Sequence, residues 1–324
     1  MLKFFGRRIL SLIPVIIIIS IMLFTIMKMM PGDPVRYMLP PGMIQDPEIY
    51  ELLYQEAYRK LGLDKSIPEQ YLIWVKNMLT GDFGYSSYWR QEAKEVIKEP
   101  LVNSILINVF SIGIAFLISI PVGIKSAVKK DSFTDRGWQV FSLFGMSMPT
   151  FFIGLTLIYL VSLKLGWLPS GGMPYEAPGT VGFYLSYLKY LILPVVTLTI
   201  GALAGTIRYV RGSMLEALSR DYIRTARAKG LREKVVIYTH AFRYALIPVV
   251  TIMSFSIIGL FGGSAITEQI FVWNGIGTVL IKALNNKDYN VVLLMNMFYA
   301  VLALAANIIM DISYALVDPR VKLE

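Results

Sequence analysis

Cysteine is absent from all 324 residues, and histidine occurs once, at His240. The first absence excludes a disulfide framework and a thiolate metal site, and the second excludes a histidine cluster. Charge is scarce too: 16% of residues are Asp, Glu, Lys or Arg, against about 25% in a soluble domain. No G-x-x-x-x-G-K-[ST] phosphate loop occurs, so the chain is not expected to bind ATP itself. H-E-x-x-H and G-x-S-x-G are also missing, so no hydrolase centre is assigned and no catalytic residue or metal site is expected.

What the chain has in quantity is apolar surface. Hydrophobic residues make up 55% of it, and the mean hydropathy is +0.58. They are gathered in blocks, and runs of about 18 or more apolar residues read as membrane helices. The net charge of +9 is therefore not the signature of a soluble nucleic-acid binder. Six spans are expected, near 9–30, 102–124, 138–163, 188–210, 245–267 and 291–316. Each covers roughly 30 Å at 1.5 Å per residue. The first resembles a signal peptide only in Lys3, Arg7 and Arg8; its apolar run is too long and no A-x-A site follows, so it is read as an uncleaved membrane helix.

Lys and Arg set the orientation. They gather in the N-terminal tail, in Lys125, Lys129, Lys130 and Arg136, nine times in 208–243, and in Arg320 and Lys322. The opposite short connections hold only Lys164, Lys189, Lys282 and Lys287. Both termini are expected in the cytoplasm, with the long 31–101 segment external. The fold class is an all-α integral membrane protein divided into 1–30 (tail and first helix), 31–101 (external), and a five-helix core over 102–324 containing a cytoplasmic loop at 212–243.

The external segment carries helix signals. Asp46-Pro47-Glu48 is an N-cap followed by proline at the first helical position. Leu52, Leu53, Ala57 and Leu61 then share a side, and Gly62 ends the helix. Ser66-Ile-Pro-Glu69 is a capping box, with Tyr71, Leu72, Val75 and Leu79 at helical spacing and Gly81 as the stop. Two short helices packed on the membrane domain are expected. Small residues inside the spans (Gly201, Gly205, Ser256, Gly259, Gly262, Gly263) suit either close helix packing or room for a pathway, with packing favoured. Asn296, Asn307 and Asp311 share a face of the sixth span. They suit interhelical hydrogen bonding or, less favoured, a pathway.

Residues 221–231, Asp-Tyr-Ile-Arg-Thr-Ala-Arg-Ala-Lys-Gly-Leu, stand apart from the apolar chain. A helix is expected from Ser213 to Lys229. Leu215, Leu218, Tyr222 and Ala226 would share one face, with Arg220, Arg224 and Arg227 roughly opposite. Glu216 precedes Arg220 by four, the favourable order for a pair. Gly230 fits the left-handed C′ position, and a second helix starts after it. Such a strip suits a positive-inside loop, a helix lying on anionic lipid, or a docking element for another protein.

Here the sequence resembles a known family. Val210-Arg-Gly-Ser-Met-Leu-Glu-Ala-Leu-Ser-Arg-Asp-Tyr-Ile-Arg-Thr-Ala-Arg-Ala-Lys-Gly-Leu231, continuing through His240 to Ala245-Leu-Ile-Pro248, looks like the signature of ATP-binding-cassette importer permeases of the dipeptide, oligopeptide and nickel type. Gly230 and Pro248 stand eighteen positions apart, the longer spacing of the peptide branch. Further matching stretches run along the chain: Pro31-Gly-Asp-Pro34, Leu61-Gly-Leu-Asp64, Gln70-Tyr71, Gly81-Asp-Phe-Gly84, Leu165-Gly-Trp-Leu-Pro169, Leu193-Pro194, Phe271, Gly275-Ile-Gly277, Asp288-Tyr289 and Asp318-Pro-Arg320. The sequence departs from the pattern at Asn274 and Asn290, where proline is usual, and at Tyr244, where asparagine is usual; none of these is expected to touch the strip.

The resemblance implies a multi-pass prokaryotic inner-membrane permease subunit. Its coupling residues would be Asp221, Tyr222, Arg224, Thr225, Ala226, Arg227, Ala228, Lys229, Gly230 and Leu231, docking on a cytoplasmic ATPase. The docking would rest on the turn at Gly230 and the small Ala226-Arg-Ala228 surface. It also implies a homologous permease partner in a heterodimer, two ATPase subunits holding ATP and magnesium, an extracytoplasmic binding protein and the lipid bilayer. This chain would hold no cofactor, and nucleic acid is not a partner. The implied cargo is short peptides, with oligosaccharides or nickel as alternatives. A stand-alone channel or secondary transporter is less favoured, because intramembrane acids along a proton path are few.

Overall fold

Backbone inside hydrocarbon must satisfy its own hydrogen bonds, and every regular element among the described residues is a helix. The computed structural model describes residues 2–29, 33, 35, 47–60, 62–177 and 179–317, without the side chains of 2–9, 60, 257, 258 and 311–317. Asp46, Leu61, Pro31, Gly32, Pro34, Asp318-Pro-Arg320, Lys322 and the side chain of Asp311 lie outside the described residues.

Among the described residues, five helices are long and apolar enough to cross a membrane. They are α1 (Leu2–Met29), α4 (Ala93–Val128), α7 (Val181–Ser219), α9 (Glu233–Gly262) and α12 (Tyr289–Val317). The expected third span, 138–163, is instead two helices, α5 (Phe133–Ser147) and α6 (Thr150–Lys164), bent by 101°. Pro149 is the cause. It has no N–H to continue the ladder, and it forces Met148 out of the helical region to φ −83, ψ 127. Among the described residues the spans number five, or six if the bent pair counts as one. Several edges also differ from expectation, with α4 beginning at Ala93 ahead of 102 and α7 at Val181 ahead of 188. α7 runs on to Ser219 instead of ending near 210, and α9 stops at Gly262, before 267. At Gly263 the chain adopts φ +65 and reverses so tightly that a Cβ there would meet the Gly277 amide at 2.7 Å. Short helices α10 (Ala265–Ile270) and α11 (Ile276–Asn285) follow.

The chain divides into two units. The first holds Leu101–Thr278 and the helix from Ala303 on, with α7 as its spine. α4 presses Gly123 against it, where an added Cβ would lie 2.7 Å from Val210. α5 does the same with Gly145, 2.8 Å from the Ala204 methyl. Such approaches are how small residues replace the missing hydrophobic drive between helices in lipid. The expectation that Gly201 and Gly205 also serve packing is not met in this chain. A Cβ at Gly201, Gly205, Gly212 or Gly262 would meet nothing within 4 Å; of the small residues named in advance, Gly263 is the one with a forbidding contact.

At one end of this unit the 263–278 segment folds around a buried acid. Glu268, 1% exposed, accepts from the Ser104 hydroxyl (2.6 Å) and from the amides of Ser264 (3.2 Å) and Thr278 (2.9 Å). The Ser104 oxygen in turn accepts from the Ile276 amide at 2.8 Å. Gly275 is obligatory beside this carboxylate, since a Cβ would overlap it. Buried Trp273 donates to the Asn103 carbonyl, Asn103 donates to the Asn274 carbonyl, and Tyr187 donates to Asn103.

The second unit holds Leu2–Pro100 and Val279–Leu302. Both expected short helices are present, α2 (Pro47–Lys60) and α3 (Ile67–Thr80). Gly62 (φ +65) and Gly81 (φ +80) take the left-handed conformation where each stop is expected. The Ser66–Glu69 capping box forms, and its donors hold the Glu69 carboxyl below the usual range. Which faces are buried differs from expectation: Leu52, Leu72 and Leu79 are exposed. α3 meets α1 through aromatic rings, Tyr71 and Trp74 lying 5.5 Å and 5.8 Å from the Phe24 ring, and Tyr71 shares a 2.7 Å hydrogen bond with Ser20. Rings offer more contact area per residue than leucine and leave a polar tip for a partner. Buried Asp288 accepts from the Ser86 hydroxyl and the Tyr88 amide, and Asn290 donates to the Tyr85 carbonyl at 2.8 Å.

Two alanine substitutions separate close packing from open surface. Gly123→Ala is expected to destabilise by about 1–3 kcal/mol through overpacking. Gly201→Ala is expected to gain up to about 1 kcal/mol in helix propensity. Thermal unfolding of the purified chain in detergent reads both.

Candidate functional site

The strip forms a helix of its own. α7 ends at Ser219, whose hydroxyl donates to the Glu216 carbonyl at 2.8 Å and so competes with the helical ladder. Arg220 is extended (φ −72, ψ 148), and α8 (Asp221–Ala228) begins with an acid at its positive end. Gly230 adopts φ +74. Its amide donates to Arg227 O at 2.9 Å and the Leu231 amide to Ala226 O at 3.4 Å, which closes the helix in the expected way. Arg227 then reaches across the turn to Glu233 with a fork, 2.6 Å and 3.2 Å. The turn is pinned at both sides by these contacts.

One helix from Ser213 to Lys229 was the expectation; the break at Arg220 makes it two and shifts the register. The residue that anchors α8 is Ile223, 0% exposed, together with Ala226, while Tyr222 is 41% exposed. Ile223 and Ala226 enter a core with Ile124 and Ala127 of α4, Val210, Met214 and Ala217 of α7, and Val236, Ile237, Ala241, Ala245 and Val249 of α9. Asp221, Tyr222, Arg224, Thr225, Arg227, Ala228, Lys229, Gly230 and Leu231 form the exposed rim. Ala226 lies beneath that rim, so it seats the helix and presents no docking surface. The expected Glu216–Arg220 pair is present.

Tyr244 was expected to stand clear of the strip, and it does not. Its hydroxyl accepts from Arg220 at 3.0 Å and donates to Glu216, its ring lies 5.4 Å from the Arg220 guanidinium, and it faces Tyr222 at 6.2 Å. The phenol is long enough to reach from α9 to the α7–α8 junction. Sequence spacing gives no sign of this contact, because it joins residues on different helices.

Two further features escaped the sequence reading. Arg211 on α7 grips Asp135 in the first turn of α5 with a fork: Nε to Oδ1 at 2.7 Å and Nη2 to Oδ2 at 2.8 Å. The second is the Glu268 knot. For Glu268 the available signal was a single acid in the otherwise uncharged stretch Ala265-Ile-Thr-Glu-Gln-Ile-Phe271; Asp135, between Thr134 and Arg136 and four residues after Asp131, carried no such signal. On α12, the Asn296 amide donates to Val292 O of its own helix at 2.8 Å, and among the described residues it makes no cross-helix bond. Asn307 is exposed.

With this geometry in place, comparisons with known proteins bear on it. Residues 119–323 match the family described as "Binding-protein-dependent transport system inner membrane component", and residues 1–89 match its N-terminal counterpart. The chain is 40% identical over 323 residues to the oligopeptide transport system permease protein AppB of Bacillus subtilis (strain 168), covering 99% of this chain and 100% of that protein. It is 36% identical to the di/tripeptide transport system permease protein DppB of Pseudomonas aeruginosa, covering 99% of each. It is 33% identical to the glutathione transport system permease protein GsiC of Escherichia coli (strain K12), again covering 99% of each. A chain of the MetNI methionine ABC transporter, solved in inward-facing conformations, superposes with a TM-score of 0.53 at 18% identity, covering 68% of this chain and 97% of that one. That likeness speaks to the fold.

The two sides of α8 predict opposite outcomes for alanine. Ile223→Ala removes a fully buried side chain and is expected to cost about 2–5 kcal/mol. Arg224→Ala removes a 79% exposed side chain whose contact to Asp221 spans 3.7 Å, and is expected to leave stability unchanged. Thermal unfolding with a tryptophan-fluorescence readout distinguishes them.

Proposed function

The chain belongs to the binding-protein-dependent transport system inner membrane component family, and on that footing we propose that it is the membrane-spanning permease subunit of an ATP-driven importer of short peptides. It is a multi-pass protein of the inner membrane. The observation that carries the reading is α8: a short helix, closed at Gly230, whose exposed rim stands on a buried core shared by α4, α7 and α9. A floppy loop would absorb a push from a partner. A helix seated on three long helices transmits it.

In this reading α8 docks on an ATPase subunit, and both chain termini and α8 face the cytoplasm, as the distribution of Lys and Arg supports. ATP and magnesium belong to the ATPase partners, of which two serve the importer, and this chain carries no cofactor and no catalytic residue. A homologous permease completes the pathway. The glycines of α7 that pack on nothing in this chain, Gly201, Gly205 and Gly212, leave room on one face for a partner helix or for substrate. Asn307, exposed on α12, is available to the same pathway; Asn296 and Asp311 share its side by helical spacing. An extracytoplasmic binding protein delivers the cargo. Short peptides are favoured because the proteins most like this chain over its full length are described as oligopeptide, di/tripeptide and glutathione permeases.

The reading is tested at Gly230. Its φ of +74 leaves space but not comfort for a side chain, so Gly230→Val strains the turn alone. A left-handed β-branched residue costs about 1–2 kcal/mol, and uptake by the reconstituted importer is expected to fall by roughly 5- to 30-fold. Full uptake with normal ATPase assembly would refute the docking role. Uptake is also expected to survive collapse of the proton gradient and to stop without ATP; the reverse pattern would mark a secondary transporter. Thermal shift of the binding protein against peptide and oligosaccharide panels identifies the cargo.

A further inference from the structure

The Asp135–Arg211 pair is outside the strip, yet it fastens the strip's support to another helix. Asp135 is fully buried and the Arg211 side chain is 17% exposed. Each carboxylate oxygen receives one arm of the fork, and Oδ2 also accepts the Asp131 amide at 2.9 Å. The Asp135 amide donates to the Ser132 hydroxyl at 3.2 Å. The acid is therefore fixed to the start of α5 by its own turn and to α7 by the fork.

Apart from an exposed contact of Arg208 Nη1 with the Met146 sulfur at 3.6 Å, a weak acceptor, the remaining α5–α7 packing among the described residues is apolar. Trp138 and Phe141 lie against Leu203 and Ile207, and Gly145 lies against Ala204. Apolar burial is non-directional, so it tolerates sliding and rotation. A bidentate guanidinium–carboxylate pair does not, because two parallel bonds hold only in one orientation. A pair needed for stability alone could be replaced by apolar side chains of similar volume without loss. What this pair adds is a fixed register of α5 on α7.

That register joins two ends of the unit. Below Arg211, α7 and α8 form one body through Met214, Ala217, Ile223 and Ala226, with the single extended residue Arg220 between them. Beyond α5, the 101° bend at Pro149 leads into α6. There Gly154 lies so near Phe271 that a Cβ would sit 3.3 Å from its ring, and Phe271 belongs to the segment knotted around Glu268. A continuous set of rigid contacts runs from α8 through the ion pair and the bent helices to the 263–278 segment.

We propose that Asp135–Arg211 is a positioning pair for transport, locking the bent α5–α6 helices to the α7–α8 body so that movement imposed on α8 reaches the 263–278 segment. The proposal rests on the reading of α8 as the ATPase-docking helix.

Asp135→Asn tests it, in the complete importer with both permeases, the ATPases and the binding protein reconstituted in liposomes. The amide keeps the shape and loses the charge that holds the fork. Substrate moved per ATP hydrolysed is expected to fall by roughly 2- to 30-fold, the range typical of residues that carry coupling between sites. Uptake and hydrolysis falling in proportion, or an unchanged ratio, would overturn the proposal. Because the chain lacks cysteine, spin labels at Phe144→Cys and the exposed Tyr209→Cys report α5 against α7 directly. The wild-type distance is expected to stay the same between nucleotide-free and ATP-trapped states; an independent movement of the two helices would overturn the proposal even if Asp135→Asn failed to assemble. Gly230→Val separates the two levels. If it leaves ATPase assembly and uptake intact, the docking reading itself fails. If it abolishes docking while Asp135→Asn keeps the wild-type ratio, only the positioning role fails.

Discussion

The close approach of neighbouring backbones to α7 is the constraint on which the first unit depends. A helix of 39 residues has far more surface than one packing partner can cover. Gly123 brings α4 to Val210, and Gly145 brings α5 to Ala204. With those distances set, Asp135 falls within reach of Arg211, and the core under α8 closes between α4, α7 and α9. A methyl at Gly145 would push α5 off α7, and one at Gly123 would push α4 off it. α8 thus inherits its position from two absent side chains several turns away.

Polar contacts then supply what apolar packing in lipid lacks. Hydrocarbon tails solvate leucine as well as another helix does, so apolar burial gives little reason for one helix orientation over another. Glu268, Asp135 and Asp288 each sit at 1% exposure or less, and each is surrounded by directional donors. Removing Arg211 would leave Asp135 buried without its ionic partner, at about 3–5 kcal/mol. The three acids therefore act as register pins, at the 263–278 segment, at the start of α5 and at the contact of the 85–88 loop with the 288–290 turn.

What the sequence made legible was local. Gly62, Gly81 and Gly230 were readable as left-handed stops because the need for positive φ is a single-residue property, and all three adopt it. The Ser66–Glu69 box and the Glu216–Arg220 pair lie within one turn and were equally readable. The helical class and most span positions followed from apolar run length. Long-range partners did not. Pro149 was in view, but run length cannot show whether a proline bends a span by 101° or merely interrupts it. Ile223 rather than Tyr222 faces the core because Ser219 and Arg220 break the helix, and a periodicity carried through the break points to the wrong side. Leu72 and Leu79 have helical spacing, yet the ring of Phe24 selects Tyr71 and Trp74 instead.

The three departures from the family pattern follow one physical logic: what matters is whether the side chain or only the backbone is used. At 274 the contact is the carbonyl, which accepts from Asn103. Proline offers the same acceptor, so the change leaves that bond intact. At 290 the side chain itself is engaged: its amide reaches the Tyr85 carbonyl and crowds Gly84, where a Cβ would lie 2.9 Å away. Proline could not make that bond. At 244 the difference reaches the α7–α8 joint. An asparagine there is too short to span from α9 to Arg220, whereas the phenol bonds Arg220 and Glu216 and lays its ring beside the guanidinium. Arg220 is the one extended residue between α7 and α8, the place where the two could hinge. By closing that joint from α9, Tyr244 makes the α7–α8 body stiffer than the peptide backbone at Arg220 alone would allow.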